Sequence, residues 1–291
     1  MTRKLALVLS GGGSRGALQV GALYALLEAG IQPDFLIGAS IGGVNSTFLA
    51  IHGFSRETID KLKSAWQHAH TGDIFPANYV WLTMRAMFRR SAHDPSHRLK
   101  EFFIAHGITP ELSFAQLSQL QLILVSTDLN TGQPILHGEE PEDKVLDALL
   151  LTTALPPWFM PIHKQDRYVM DGGLVSNLPV EPALKMGATE IVALDLTDSR
   201  AMLGQGDRLR VFLDRLIYSV EKRHLDLELQ LAEARGIPML YIDLTSEVPI
   251  PIWDFQHTDE LIDQGYAITR KVMDSQRLNH PILLASKSRA E

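Results

Sequence analysis

Short apolar segments alternate with longer helical segments along most of the chain, and this alternation constrains the fold more than any other feature. The segments with the length and character of strands are residues 4–9, 35–38, 120–127, 168–170, 190–195 and 238–243. The segments with helical periodicity are residues 17–29, 43–52, 55–70, 142–152 and 207–234. Strands that alternate with helices form mainly parallel sheets covered by helices on both faces. We therefore predict a three-layer α/β/α fold with a mainly parallel central sheet.

Several of these helices carry recognisable signals. The segment 17–29 is amphipathic and is closed by Gly30, and Ser55 stands at an N-cap position. The segment 207–234 is the longest predicted helix, and its charged residues predict a solvated face. Its apolar stripe consists of Leu209, Leu213, Leu216 and Val220.

The composition narrows the class of protein. Of 291 residues, 45% are hydrophobic and 21% are charged, which is ordinary for a globular domain. The absence of cysteine excludes disulfides, thiolate nucleophiles and cysteine–zinc sites. The net charge of −7 argues against a nucleic-acid partner, because polyanion-binding proteins carry a basic excess. No repeat or linker divides the chain, so we predict one domain over residues 1–291, with its motifs in residues 4–195 and its remainder in residues 198–291.

The amino terminus and the hydropathy pattern bear on location. The first residues are basic, but the apolar run at residues 5–9 is shorter than the roughly 7–15 residues of an export signal. No run approaches the roughly 18 apolar residues of a transmembrane helix. We expect a cytoplasmic, soluble protein that at most contacts a membrane surface.

A glycine-rich loop, Gly-Gly-Gly-Ser-Arg-Gly at residues 11–16, joins the first strand to the first helix. Its spacing fits a dinucleotide-binding loop, which also needs an acidic residue at the end of the second strand. Asp34 has the right separation but stands before that strand. The loop equally fits an oxyanion hole, because consecutive glycines let backbone N–H groups converge beside a helix N-terminus. Taken alone, the loop is compatible with both uses.

The second strand is followed by Gly-Ala-Ser-Ile-Gly at residues 38–42, a Gly-x-Ser-x-Gly pattern. A strand before it and a helix after it are the setting of a nucleophile elbow, which exposes the serine at the carboxyl edge of the sheet. Gly38 and Gly42 leave the room that such a strained turn requires. Ser40 is therefore the predicted nucleophile of a hydrolase.

A serine hydroxyl needs a base that accepts its proton. His257 and His280 come late in the chain, as the histidine of an α/β-hydrolase triad does, but neither follows a predicted strand. Asp171 ends a short apolar strand, and Gly172 and Gly173 after it form a turn that can aim a carboxylate at the sheet edge. The residues favour Asp171 and leave a Ser–His–Asp triad as the alternative.

The glycine loop, the serine elbow and the Asp-Gly-Gly turn together resemble the patatin-like phospholipase family. Residues 127–132, 153–156 and 174–179 resemble the family as well, and the motifs follow its order over residues 4–195. The resemblance implies a Ser40–Asp171 dyad without histidine. It also implies an oxyanion hole from the backbone of the glycine loop, with a basic residue at its end. The residues concerned are Gly11, Gly12, Gly13, Ser14 and Arg15.

The reaction implied by the resemblance is two-step acyl transfer from a lipid or other acyl ester, with no metal and no cofactor. Its type would be that of a phospholipase A, a lysophospholipase or a carboxylesterase. A base that is an ordinary carboxylate predicts activity well below pH 6.5, where a histidine base would be lost. The competing hypotheses are a triad esterase, a nucleotide-binding protein that uses residues 11–16, and a lipid-binding protein without catalysis.

Three further features of the sequence concern lipid and metal binding. Residues 79–90 mix aromatic residues and methionines with arginines, which suits a lipid flap, an interfacial helix or a helix packed on the core. His93 and His97 flank Pro95, so they are not expected to form a helical metal pair. The segment from Asp128 begins like a calcium loop, but Gln133 replaces the required glycine. We therefore predict no metal site.

Overall fold

The computed structural model describes residues 3–69, 95–156, 159–164, 166–202 and 208–279. The strands in these ranges are β1 Leu5–Leu9, β2 Phe35–Ala39, β3 Gln121–Asp128, β4 Gln133–His137, β5 Ile162–Lys164, β6 Arg167–Asp171, β7 Glu190–Asp195 and β8 Met239–Asp243. The helices are α1 Gly16–Glu28, α2 Ile41–His52, α3 Arg56–Ala69, α4 Pro95–Ala105, α5 Val145–Thr152, α6 Gly173–Ser176, α7 Val180–Lys185, α8 Arg208–Ala234 and α9 Thr258–Asn279.

The strands form one sheet in the order β5-β6-β3-β2-β1-β7-β8, and β4 also pairs with β3. The neighbours among β1, β2, β3, β7 and β8 are parallel, whereas β4 and β6 run antiparallel to β3, and β5 runs antiparallel to β6. The predicted mainly parallel sheet is therefore confirmed. The antiparallel strands cluster on one side of it.

Strand β1 shows why helices cover both faces of the sheet. All five of its residues are buried. Leu5, Leu7 and Leu9 belong to one apolar cluster, and Ala6 and Val8 belong to a second one. Successive side chains of a strand point to opposite faces, so each face needs its own helical layer. The predicted three-layer α/β/α architecture is confirmed.

Helix α1 differs from the prediction of an amphipathic helix, because residues 16–26 are all buried. Helix α9 covers the face that the prediction left to solvent. A Cβ atom on Gly21 would lie 1.9 Å from the Ile262 carbonyl oxygen, and one on Gly265 would lie 2.0 Å from the Leu18 carbonyl oxygen. These two glycines therefore permit the backbones of α1 and α9 to approach each other closely.

The predicted apolar stripe of the long helix, now α8, is exposed where its side chains are described. Leu216 and Val220 are 50% and 37% exposed. Leu225 and Ala232 are buried instead and pack in the second apolar cluster. Among the side chains of α8 that the structure describes, these buried apolar residues lie in its second half.

Candidate active site

Ser40 lies in a tight turn between β2 and α2, with φ of 51° and ψ of −126°. An L-residue rarely adopts this conformation, which is the strain found at nucleophile elbows. A Cβ atom on Gly38 would lie 2.5 Å from backbone atoms of Gly42, and one on Gly42 would lie 2.2 Å from the Leu9 carbonyl oxygen. Both positions therefore require glycine, which explains the Gly-x-Ser-x-Gly pattern in physical terms. The Ser40 N–H donates to Thr152 Oγ1 at 3.0 Å and so anchors the turn.

The strand register brings Asp171 to Ser40. Strand β2 pairs with β3 as far as Ala39 opposite Val125, and β6 pairs with β3 from Asp171 opposite Ser126. Strand β4 occupies the other side of β3 over these residues. Strands β2 and β6 therefore lie end to end along one side of β3, with their carboxyl ends facing each other. Ser40 and Asp171 stand at this junction.

The Asp171 side chain is 1% exposed. Its Oδ1 accepts a hydrogen bond from the Gly173 N–H at 2.8 Å. Burial raises the pKa of the carboxyl group to about 7, although hydrogen bonds from the Ser40 side chain and the Gly173 backbone lower it. Oδ2 is buried without a well-aligned partner among the described residues. The contact with the Ser40 hydroxyl is thus close but not fully formed, as is frequent in free enzymes.

The raised pKa bears on one expectation from the sequence. A carboxyl group with a pKa near 7 is mostly protonated below pH 6, and a protonated carboxyl group cannot accept a proton from a serine. The expectation of activity well below pH 6.5 assumed an ordinary aspartate, whereas burial of Asp171 favours a base that works at higher pH.

The glycine loop lies directly against the serine. A Cβ atom on Gly11 would lie 3.1 Å from Ser40 Cβ and 2.5 Å from Asn177 Oδ1. Gly13 has φ of +58°, and a Cβ atom there would lie 2.2 Å from the Ile252 carbonyl oxygen. The loop is therefore confined on both sides by backbone and side chains that a larger residue would displace.

The backbone N–H groups of this loop differ in their availability. Gly11 donates to the Asn177 carbonyl at 3.1 Å, and Ser14 donates to the Ile252 carbonyl at 2.7 Å. The Arg15 N–H points back to the Gly12 carbonyl oxygen at 3.3 Å. The structure shows no hydrogen bond from the N–H groups of Gly12 and Gly13 to any described residue. Of the five residues predicted to form an oxyanion hole, Gly12 and Gly13 therefore have N–H groups that are available to a bound oxygen.

The Arg15 side chain is 3% exposed, and its Nε donates to the Gly12 carbonyl oxygen at 3.3 Å. Nη1 is buried without a partner among the described residues. Burial lowers the pKa of Arg15, whereas the charges of Glu221, Asp198 and Asp195 raise it. Burial also raises the pKa of Glu221 to about 7. Arg15 therefore supports the loop with its side chain, beside carboxylates that the sequence analysis did not single out.

Two threonines hydrogen-bond to the backbone of Ser40 and Asp171, and the sequence did not predict this role for them. Thr152 Oγ1, which accepts the Ser40 N–H, also donates to the Val125 carbonyl oxygen. Thr127 Oγ1 donates to the Asp171 carbonyl oxygen at 2.7 Å. In the sequence Thr152 ends an apolar helix and resembles an ordinary core residue. Only the fold reveals that its hydroxyl ties β3 to the elbow.

The histidines considered for a triad have other surroundings. His257 Nδ1 lies 3.2 Å from Glu260 Oε2, and its side chain is 40% exposed. His224 lies on α8, and its Nδ1 is buried without a partner among the described residues. His280 lies outside the described residues. His106, which the sequence analysis passed over, lines the same cavity as Ser40, and its Nδ1 lies 2.8 Å from the Phe102 carbonyl oxygen.

Asp34 does not adjoin the glycine loop. Its Oδ2 accepts the N–H of Leu5 at 2.6 Å, at the amino end of β1. The glycine loop follows Leu9, at the other end of that strand. An acid at the wrong end of the strand cannot hold a ribose bound at the loop, so the geometry contradicts the nucleotide-binding alternative.

An apolar cavity of about 990 Å³, including the part open to solvent, lies beside Ser40. Helices α2, α3 and α4 and the loop around Ile252 form its walls. Its apolar lining includes Ile41, Val44, Phe48, Leu62, Phe102 and Phe103. Its apolar lining suits a hydrocarbon chain.

The remaining sequence predictions concern membranes and metals. No helix within the described ranges is long and apolar enough to cross a membrane. The same residues contain no group of three potential ligands that could hold a metal ion. His97 Nδ1 lies 3.3 Å from Glu101 on the surface. Residues 79–90 and His93 lie outside the described residues, so the flap hypothesis stays a prediction.

The comparisons with known proteins agree on one family. A sequence model described as patatin-like phospholipase matches residues 7–184. Human patatin-like phospholipase domain-containing protein 6 is 30% identical over 208 residues, covering 70% of this chain and 14% of that protein. A lysophospholipase of Aspergillus terreus is 28% identical over 221 residues, covering 72% of this chain and 13% of that protein.

An NTE family protein of Mycobacterium tuberculosis is 24% identical over 296 residues, covering 94% of this chain and 47% of that protein. The chain thus spans less than half the length of these relatives. Among solved structures, human GIVD cytosolic phospholipase A2 in complex with methyl gamma-linolenyl fluorophosphonate superposes with a TM-score of 0.51. The two are 11% identical, and the match covers 95% of this chain and 60% of the other, which shows a shared fold.

Proposed function

The chain belongs to the patatin-like phospholipase family, and from this premise we propose that it is a lipid acyl hydrolase with Ser40 as nucleophile and Asp171 as base. The observation that carries the proposal is the junction of β2 and β6. There a strained serine, which also lines an apolar cavity, meets a buried carboxyl group. A strongly shifted pKa beside a candidate nucleophile in a cleft is typical of a catalytic site.

The first half-reaction forms an acyl-enzyme. Ionised Asp171 accepts the proton of the Ser40 hydroxyl as Ser40 Oγ attacks the carbonyl carbon of the ester. The negative charge that develops on the carbonyl oxygen is stabilised by the free N–H groups of Gly12 and Gly13. Protonated Asp171 then donates its proton to the leaving alcohol as the bond between carbon and alcohol oxygen breaks.

The second half-reaction releases the acid. Asp171 accepts a proton from water, the water oxygen attacks the acyl carbon, and the bond to Ser40 Oγ breaks. The proton returns to Ser40, and the carboxylic acid leaves. Each of these steps uses the chain's own groups.

The apolar cavity determines the proposed substrate class. An acyl chain seated between α2, α3 and α4 places its carbonyl beside Ser40, which is part of the lining. We therefore propose fatty-acyl esters of the phospholipase A, lysophospholipase or carboxylesterase type as substrates. The polar remainder of the lipid would face the carboxyl edge of the sheet.

The test combines a long-chain acyl ester with an activated-serine probe. The wild-type protein should release fatty acid, and a fluorophosphonate should label the Ser40 peptide in mass spectrometry. Ser40→Ala should lose both signals, whereas Ser64→Ala, a surface serine of α3, should keep both. A folded wild-type protein that binds the lipid but neither hydrolyses it nor reacts with the probe would be a lipid-binding protein instead.

A further inference from the structure

Helix α2 carries an apolar row of side chains along the cavity that contains Ser40. Ile41, Val44 and Phe48 line this cavity and are partly buried, whereas Leu49 on another face of the helix is fully buried. Residues spaced by three and four positions lie on one face of a helix, so the three side chains form a single row. Phe48 follows Ile41 by seven residues, which places it about 10 Å farther along the helix axis. The row therefore leads away from Ser40, and Phe48 lies at its far end.

Helix α2 runs from the carboxyl edge of the sheet toward the amino edge. It begins directly after Ser40, at the carboxyl end of β2, and ends at His52. A Cβ atom on Gly53 would lie 3.3 Å from Gln119 Oε1, and Gln119 stands just before the first residue of β3. Strands β2 and β3 are parallel, so the start of β3 marks the amino edge. Phe48 precedes His52 by one turn, so the deep end of the cavity, the end at Phe48, lies toward the amino edge.

A second wall of the cavity leads in the same direction. Helix α5 ends at Thr152, whose Oγ1 accepts the Ser40 N–H, and begins at Val145, about 10 Å away along its axis. The Val145 N–H donates to the Leu112 carbonyl oxygen at 3.0 Å. Ile108, four residues before Leu112, is buried and lines the cavity. The segment that lines this side thus approaches the start of α5, at the deep end of the cavity.

Trp66 limits the cavity in the direction of α1. A Cβ atom on Gly16 would lie 2.6 Å from Ile41 Cγ1 and 2.8 Å from Trp66 Cζ2, so the indole ring lies at the beginning of the row. The indole N–H donates to Asn45 Oδ1 at 2.9 Å, and Asn45 Nδ2 donates to Gln19 Oε1 at 2.9 Å. These buried hydrogen bonds fix the ring, because breaking them would leave polar groups unpaired. An acyl chain that starts at the serine therefore extends along the row toward the deep end.

We propose that Phe48 is a specificity-determining residue, because its ring limits the length of the acyl chain that the cavity holds. The inference rests on the proposed function, since the chain is taken to lie with its carbonyl group at Ser40. Methylene groups as far as Phe48 exchange water for apolar lining, and those beyond it gain no such place. An extended chain advances about 1.2 Å per bond, so a row of about 10 Å accommodates about eight bonds.

The first experiment measures kcat/KM for p-nitrophenyl esters of straight-chain acids of increasing length, each below its critical micelle concentration. Every methylene group that enters the cavity should raise kcat/KM of the wild-type protein about fourfold. This gain should stop at the chain length that reaches Phe48, which is the break in the series. Because the break is a property of the whole series, differences in the amount of active protein do not move it.

Two substitutions should move this break in opposite directions. Phe48→Ala opens the deep end, so the break should move to longer chains, and the rate ratio across two further methylene groups should rise about 16-fold. Val44→Phe places a ring one turn nearer Ser40 and should move the break to shorter chains. A merely structural role of either residue would lower the rates for all chain lengths alike and leave the break in place.

Phe54→Ala is the matched control. Phe54 is also partly buried and packs against the same apolar cluster as Phe48, but it is not among the described residues that line the cavity. Its variant should keep the wild-type break. Breaks at the same length in the wild-type, Phe48→Ala and Val44→Phe proteins, or a break that Phe54→Ala moves equally, would overturn the proposal.

Binding gives a second readout that does not depend on hydrolysis. Calorimetry with Ser40→Ala protein and methyl esters of the same acids should show an affinity that rises with chain length as far as the same break. Adding Phe48→Ala to this protein should move the break in affinity to longer chains. A shift in binding without hydrolysis by the wild-type protein would retain the length limit and reject the hydrolase. Hydrolysis with no shift in either series would retain the hydrolase and reject the length limit.

Discussion

Ser40 and Asp171 each occupy a position that disfavours the folded state. A backbone in the conformation of Ser40 costs about 1–3 kcal/mol, and burial makes ionisation of Asp171 unfavourable. The surrounding residues impose both conditions, because Gly38 and Gly42 permit the turn and Thr152 holds it. Two adjoining residues held in this way are typical of a site in which strain and desolvation serve catalysis.

At the residue scale, the role of Asp171 has a direct test. Asp171→Asn keeps the shape of the side chain but removes its capacity to accept a proton. Turnover should fall on the order of 10³-fold or more, as it should in Ser40→Ala. The double variant should be little worse than either single variant, because the two residues act as one unit. Steady-state kinetics on folded proteins provide the measurement.

The histidine variants are the controls for this prediction. His106→Gln, His224→Gln, His257→Gln and His280→Gln should each retain most of the activity. If one of them lost as much turnover as Ser40→Ala while still folded, the base would be that histidine and the protein would be a triad esterase.

The pH dependence follows from the raised pKa of Asp171. The base functions when ionised, so kcat/KM should rise with pH, reach half its maximum at about pH 7 and level off about one pH unit higher. An exposed aspartate would give the half-maximal rate near pH 4 instead. A rate profile on a soluble ester, within the range where circular dichroism shows the protein to be folded, is the measurement. A constant rate down to pH 5 would show that Asp171 is not the titrating base.

The role of a residue could be predicted from the sequence where the chemistry requires one residue type in a recognisable local pattern. Ser40 and Asp171 could be proposed because glycines surround each of them in a strand-end turn. Thr152 and Asn177 could not, since their side chains bond to the backbone of distant segments: Thr152 Oγ1 accepts the Ser40 N–H, and Asn177 Nδ2 donates to the Gly11 carbonyl oxygen. Such contacts depend on the three-dimensional arrangement and leave no local pattern.

At the scale of elements, strands buried on both faces were predicted well, because they are short continuous apolar runs. The N-cap predicted at Ser55 is confirmed as well, because the Thr58 N–H donates to Ser55 Oγ at 3.2 Å. Strand β5 has three residues, and α4 begins with a proline and mixes charged with apolar residues, so neither shows clear periodicity. Helix α9 was also missed, and with it the reason for the burial of α1.

The glycine loop gives an element-scale prediction. At Gly13 a valine would have φ of +58° and would collide with the Ile252 carbonyl oxygen, so the loop must move and its amides with it. Turnover of Gly13→Val should fall about 10²–10³-fold, the usual loss for one oxyanion donor. Gly187→Val is a matched control, since Gly187 also has a positive φ, of +86°, but no atom lies within 4 Å of its Cβ position. A folded Gly13→Val protein with full activity would remove the loop from the mechanism.

At the scale of the whole molecule, the site is larger than its motifs. The family match ends at residue 184, yet Ile252 accepts the Ser14 N–H and also lines the cavity. The Ser14 hydroxyl donates to the Pro251 carbonyl oxygen at 2.8 Å. The carboxy-terminal part therefore holds the glycine loop in place. This dependence could not be predicted, because the sequence offers no motif at residues 251–255.

Buried carboxyl groups make the stability of the whole molecule depend on pH. Burial raises the pKa values of Asp171, Glu221 and Glu228 to about 7. In the unfolded chain such groups titrate near pH 4. Between about pH 4 and pH 7 the folded protein therefore binds more protons than the unfolded chain does. Stability from these groups is therefore fully present below about pH 4 and is lost as the pH rises through about 7.

Asp171→Asn isolates the contribution of one of these groups. The variant cannot ionise at position 171, so its free energy of unfolding minus that of the wild type should grow as the pH rises from about 4 to 8. Each pH unit of pKa shift corresponds to about 1.4 kcal/mol, so the change approaches about 4 kcal/mol at most. Urea unfolding at several pH values gives this difference, and Asp274→Asn, an exposed carboxylate of α9, should give a nearly constant one. If the two variants behaved alike, Asp171 would already be ionised without penalty in the folded protein, and the proposed link between its burial and its basicity would fail.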